Sequence, residues 1–135
     1  MKTASIPARL RRRVIQRAAG LCEYCHKPQV TFFQHEIDHV IARKHGGRTT
    51  LDNLALTCFE CNRYKGSDIA SIDPETATIT PLFNPRQQGW HEHFRLVGAR
   101  IVALTPEGRA TVLLLHFNDK ERVRERAALQ SLVGQ

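Results

Sequence analysis

The chain has no acidic residue before Glu23, and it has only one tryptophan and two tyrosines in 135 residues. It has no apolar run approaching the ~20 residues needed to cross a bilayer, which argues against a helical membrane anchor. Its acid-free, arginine-rich opening, with "RLRRR" inside the first 13 residues, can imitate a transit peptide, but no apolar segment of the secretory kind follows it. The expected setting is therefore cytoplasmic. Internal repeats and low-complexity tracts are also missing. Apolar residues make up 41%, an ordinary share that excludes global disorder, and the length suits one domain, 1–135, around one modest core. The shortage of acids leaves a net charge of +7. Clustered Lys and Arg gain from releasing phosphate counterions, so this balance points to a polyanionic partner.

The pattern along the chain predicts a helix over 6–19, with Ser5 as its cap, Pro7 in its first turn and Gly20 as its stop. Leu10, Val14, Ile15 and Ala18 form its apolar stripe. Arg9, Arg12, Arg13 and Arg17 surround the rest, as a solvated or a phosphate-facing surface. After "CEYC" and a turn at "HKPQ", "TFFQHEIDHV" reads as a strand pair or one irregular strand. "ARKHGGRTTLDN" is a loop broken by Gly46 and Gly47. "LALTC" is a short strand, and "FECNRYKGSDI" opens a helix. Residues 71–89, with three prolines and little periodicity, read as an extended wrap. "WHEHFRLVGARIVALT" reads as two strands turning at Gly98. "PEGRATVLLLHFN" and "DKERVRERAALQSLV" read as closing helices.

No cysteine is left over. All four fall in Cys-x2-Cys pairs, Cys22/Cys25 and Cys58/Cys61. Disulfides are disfavoured in a chain without a secretion signal. Redox or inert buried thiols are the plain alternatives, but paired knuckles of this spacing match tetrahedral Zn2+, a useful staple in a small domain. Asn62 follows Cys61 directly, so a metal that fixes Cys61 also fixes where Asn62 projects. Lys65 shares its helical side.

One further pattern stands out. Asp38 and His39 sit side by side in "EIDHV". Asn53 lies fourteen positions after His39, beyond the Gly-Gly loop, and Asn62 lies nine positions after Asn53, on the helix that opens with a cysteine knuckle. In its order and in the stretches "CEYC", "EIDHVIARKHGG", "LDNLALTC" and "CFECNRYKG", the segment from Cys22 to Gly66 resembles the HNH endonuclease family, and the downstream "PLFNPRQQGWHEHF" and "LTPEGRATV" resemble the tail of its small stand-alone bacterial or phage type. The family's final position is often His; here it is Asn62.

The resemblance implies an α+β fold: a zinc-stapled ββα-metal finger over 20–70, an N-terminal helix over 6–19 and a hairpin-plus-helices extension over 71–135. It implies a phosphodiester hydrolase acting on DNA. His39 is then the general base, and Asp38 and Asn62 are oxygen ligands of one catalytic Mg2+ or Mn2+. Asn53 holds the loop and orients His39, and Cys22, Cys25, Cys58 and Cys61 bind structural Zn2+ only. The competing reading is a non-catalytic zinc module that binds nucleic acid, for which Asp38, His39 and Asn62 together would be superfluous.

Other residues invite weaker expectations. Lys65, Arg43 and His45 are candidate nucleic-acid contacts, Lys65 being otherwise a solvated helix lysine. Glu36 is a solvent-facing strand carboxylate or a support for His39 or the metal. His35 is structural, His91 and His93 alternate along a strand, and Trp90 and Phe94 belong to the core. Target sequence and oligomeric state leave no mark that can be read.

Overall fold

The computed structural model describes residues 6–30 and 34–133. Helix α1 (Ala8–Ala18) starts after Pro7, which takes the cap position with an extended backbone and no side-chain bond; the expected cap, Ser5, lies outside the described residues. The helix ends where Ala19 turns left-handed and the Gly20 N–H reaches back to the Ile15 carbonyl at 3.1 Å, a closure that Gly20, itself at φ +74°, tolerates without strain. Its apolar stripe performs as the pattern predicts. Val14 is fully buried with Leu54 and Leu56, and Leu10, Ile15 and Ala18 pack around them.

Under α1 lies an antiparallel hairpin of β1 (Glu36–His39) and β2 (Leu54–Thr57), with Ile37 opposite Leu56, Asp38 opposite Ala55 and His39 opposite Leu54. Among its described residues, the segment read as a pair or one irregular strand thus contributes one strand. Every β2 residue is buried, because α1 covers one face and a second apolar cluster covers the other. Helix α2 (Phe59–Lys65) follows at once. Its cap is Cys58, whose sulfur accepts the Cys61 N–H. Hairpin, helix and cysteine group together make a ββα-metal finger.

Residues 71–89 are not wholly an extended wrap: β3 (Ala70–Asp73) and β4 (Thr78–Pro81) pair as a second hairpin. Its exposed Ile72 and Ile79 hide the usual alternation, and its turn is built by a side chain. Asp73 accepts bonds from the Glu75 N–H and the Thr76 hydroxyl, 3.0 Å each, and Ala77 takes φ +59°. The same buried carboxylate receives both arms of Arg109 at 2.8 Å. These bonds hold its carboxyl well below the ordinary range and tie the hairpin to α4 (Pro106–Leu114).

A second correction concerns residues 90–93. They form a helical turn, α3 (Trp90–His93), and strand β5 (Phe94–Val97) begins only after it, pairing with β6 (Arg100–Ala103) around Gly98. The reason is geometric. Trp90 and His93 are both buried, and residues three apart share a side on a helix but take opposite faces on a strand. Trp90 Nε1 donates to the Tyr24 carbonyl at 2.8 Å, and His93 Nδ1 lies 2.6 Å from the Thr105 hydroxyl. His91 stays exposed. Thr105 caps α4 by accepting the Gly108 N–H, and α5 (Lys120–Val133) closes the described chain. The larger core cluster joins Cys22, Tyr24, Cys25, Ala55, Cys58 and Cys61 to Phe83, Trp90, Phe94, Ile101, Leu115 and Phe117. Among the described residues no helix is long and apolar enough to cross a membrane.

Candidate active site and metal centre

The two cysteine knuckles meet inside the larger core cluster. All four sulfurs lie within 4.8 Å of one another and all four residues are buried. Each knuckle folds a backbone N–H onto its first sulfur: Cys25 N–H to Cys22 Sγ at 3.5 Å, and Cys61 N–H to Cys58 Sγ at 3.4 Å. Shared hydrogen bonds, those to Cys22 foremost, draw the Cys25 thiol well down and the Cys58 thiol to about 6, while burial pushes Cys22 and Cys61 up. Four cysteine sulfurs gathered in one buried cluster suit a soft divalent cation. The cluster is compatible with zinc.

The second site sits at the end of β1. Strand alternation sends Glu36 and Asp38 to the α2 side and Ile37 and His39 to the other. On the α2 side, the exposed Glu36 accepts a bond from the Asn62 side-chain amide. Asp38 is paired with Lys65, whose Nζ lies 3.0 Å from Oδ2. Lys65 is neither solvated nor set out for a phosphate, as its place on a short helix suggested. It is 2% exposed, and its Nζ also reaches the His39 carbonyl at 3.3 Å. Burial raises the Asp38 carboxyl above its ordinary range, against the pull of Lys65. Asp38 Oδ2 is buried, and the Lys65 ammonium is its partner. Carboxylate and amide oxygens are the ligands a hard cation takes, and Asn62 stands one helical turn before the lysine that now supplies the positive charge.

The His39 ring is half-buried, with Nε2 at 2.8 Å from Thr49 Oγ1. Nδ1 has no hydrogen-bond partner among the described residues. Burial lowers the imidazole below its ordinary value, although the neighbouring Asp38 works the other way. Asn53 stitches the loop between the strands. Its amide donates to the Ile41 and Arg48 carbonyls at 2.9 Å each, and its Oδ1 accepts the Ile41 N–H at 3.0 Å. Arg43 and His45 form a short 3-10 turn in this loop and are exposed; the His45 ring is already engaged by the Ser67 carbonyl at 3.1 Å. His35 is buried, its Nε2 2.7 Å from the Lys27 carbonyl.

Three residues here escaped the sequence reading. Thr49 looks like any polar loop residue. Arg122 reads as one charge among many on α5, yet it touches the cysteine sulfurs. Gly47 was legible only as half of a Gly-Gly breaker. In fact the chain passes so close that a Cβ there would lie 1.7 Å from the Ile41 carbonyl oxygen and 2.8 Å from Asn53 Nδ2. Gly47→Ala should therefore push the Asn53 stitch apart and cost at least about 1–3 kcal/mol, as overpacking does. Urea unfolding would read this loss. A variant as stable as the parent would show that the loop relaxes freely around the methyl group.

A search of curated proteins returned no match. Residues 22–68, the stretch that holds both cysteine knuckles, the β1–β2 hairpin and α2, match the family model for HNH endonuclease.

Proposed function

We propose that the chain is a metal-dependent endonuclease that hydrolyses phosphodiester bonds in DNA, acting in the cytoplasm as one domain over 1–135. The observation that carries this reading is the pairing, at one strand end, of an imidazole whose Nδ1 has no partner among the described residues with a buried carboxylate held by Lys65. A binding module gains nothing from either.

Asp38 and Asn62 would hold one Mg2+ or Mn2+, which when bound supplies charge stabilisation to the scissile phosphate and its leaving oxygen. The remaining work falls to the chain's own side chains. Thr49 fixes the ring through Nε2, which leaves Nδ1 to take the proton of the attacking water. Asn53 and Gly47 set the loop that carries Thr49. Lys65 holds Asp38 in place and shields its charge before a cation arrives. The exposed Arg9, Arg12 and Arg13 of α1, with no ion pair among the described residues, offer phosphate contacts whose contribution falls steeply with salt. The four cysteines take no part in the chemistry and hold structural Zn2+.

Supercoiled plasmid incubated with the purified protein in EDTA, Mg2+, Mn2+ or Zn2+ tests the reading. Cleavage should vanish in EDTA and return with Mg2+ or Mn2+. Asp38→Ala should need a higher Mn2+ concentration for the same rate, because the phosphate and Asn62 still contribute ligands. Plasmid that is bound but left intact under every metal would favour the non-catalytic zinc module instead.

A further inference from the structure

Helix α5 lies outside the HNH stretch and presents an unusual face to it. Its contacts with the rest of the molecule are mostly polar. Arg126 donates to the Ala99 and Phe117 carbonyls at 2.8 and 2.9 Å, Gln130 donates to the Gly98 carbonyl at 3.1 Å, and Glu125 pairs with Lys27 at 3.1 Å. The deepest contact is Arg122, 7% exposed. Its Nη2 lies 3.3 Å from Cys61 Sγ and 3.6 Å from Cys58 Sγ. Its Nη1 donates to the Leu115 and His116 carbonyls at 2.6 and 3.2 Å, and its guanidinium lies 5.9 Å from the centroid of the Phe117 ring.

We propose that Arg122 is the counter-charge of the four-cysteine metal centre, and that it couples metal occupancy to the docking of α5. Four thiolates around a divalent cation leave a net charge of about −2. In this core the two knuckle N–H groups are neutral donors, and Arg122 is the charged donor within reach of sulfur among the described residues. A buried guanidinium is costly unless it is paired, so each charge needs the other. Linkage makes the effect reciprocal: whatever affinity Arg122 adds for the metal, the metal returns to the docking of α5. The proposal rests on the zinc reading of the cysteines and is independent of whether the protein cuts DNA.

The test uses full-length protein and measures zinc transfer to a chromogenic chelator, beside amide hydrogen exchange of residues 120–133 at saturating zinc. Partners that touch metal ligands typically contribute 10–100-fold in affinity, so Arg122→Met should release zinc at a 10–100-fold lower chelator concentration. Exchange should quicken in α5 and stay unchanged in α1. Arg126→Met, which loses carbonyl contacts on the same helix but no sulfur contact, should retain zinc like the parent. Arg122→Lys keeps the charge with a poorer reach and should fall between. If Arg122→Met does not fold at any zinc level, Arg122→Lys decides, and release indistinguishable from the parent overturns the proposal. So does equal zinc loss from Arg126→Met and Arg122→Met, or a purified parent that binds no zinc.

Discussion

Replacing His39 with alanine should lower the rate of DNA cleavage by about 10²–10⁴-fold, the usual effect of removing a general base. The protein should otherwise stay intact. His39 packs at the rim of the hairpin, and its ring makes a single hydrogen bond, to Thr49; surface losses of that kind cost about 1 kcal/mol. Zinc content, circular dichroism and DNA affinity should match the parent. Adding Mn2+ should not restore the rate, because the missing function is proton transfer. In this His39→Ala differs from Asp38→Ala, whose defect should respond to metal. Single-turnover cleavage across a Mn2+ series, run on both variants, separates the two roles. Parental rates from His39→Ala at any pH between 6 and 9 would sink the assignment of the base.

The other large effect should come from Cys58→Ser, and here the target is the fold. Cys58 lies at the junction of the core, the metal cage and α2, whose cap it is. Structural zinc in finger peptides contributes about 10–16 kcal/mol, while a domain's entire net stability is about 5–15 kcal/mol. Serine oxygen is a poor ligand beside thiolate, so most of that contribution should go. The variant is expected to show no cooperative thermal transition and little bound zinc by atomic absorption. A well-folded, zinc-free Cys58→Ser protein would mean that apolar packing alone suffices to hold the finger.

The parts that could be read from the sequence were those with a strict local grammar. The Cys-x2-Cys pairs announce a cage because thiolate, spacing and metal geometry are tightly linked, and the cage is there. The stripe Leu10, Val14, Ile15, Ala18 announces a buried helix face by its period, and it is buried. What was lost depends on contacts between distant segments. Trp90 and His93 look like strand residues until Tyr24 and Thr105 arrive from elsewhere to bond them. Asp73 looks like a loop acid until Arg109 reaches it from 36 positions away. Lys65 looks solvated because nothing local says that Asp38, 27 positions upstream along the chain, will lie over it. At the second site the residue types were plain and their order was plain. Strand alternation alone puts Asp38 and His39 on opposite faces of β1, but their supporting partners, Lys65 and Thr49, could not be seen in the letters.

The larger apolar cluster has a bearing on how this protein can be handled as a part. Similarity marks out residues 22–68, but Tyr24, Cys25, Ala55 and Cys61 are covered by Phe83, Trp90, Phe94, Ile101, Leu115 and Phe117, all beyond that stretch. Arg86 likewise reaches back to bridge Glu23 and the Leu54 carbonyl. The recognisable motif is therefore not a portable cassette. Excised at its sequence borders and grafted onto another protein, it would arrive with one wall of its interior open to water, and a successful chimera would have to carry the aromatic lid from residues 83–117 along with it.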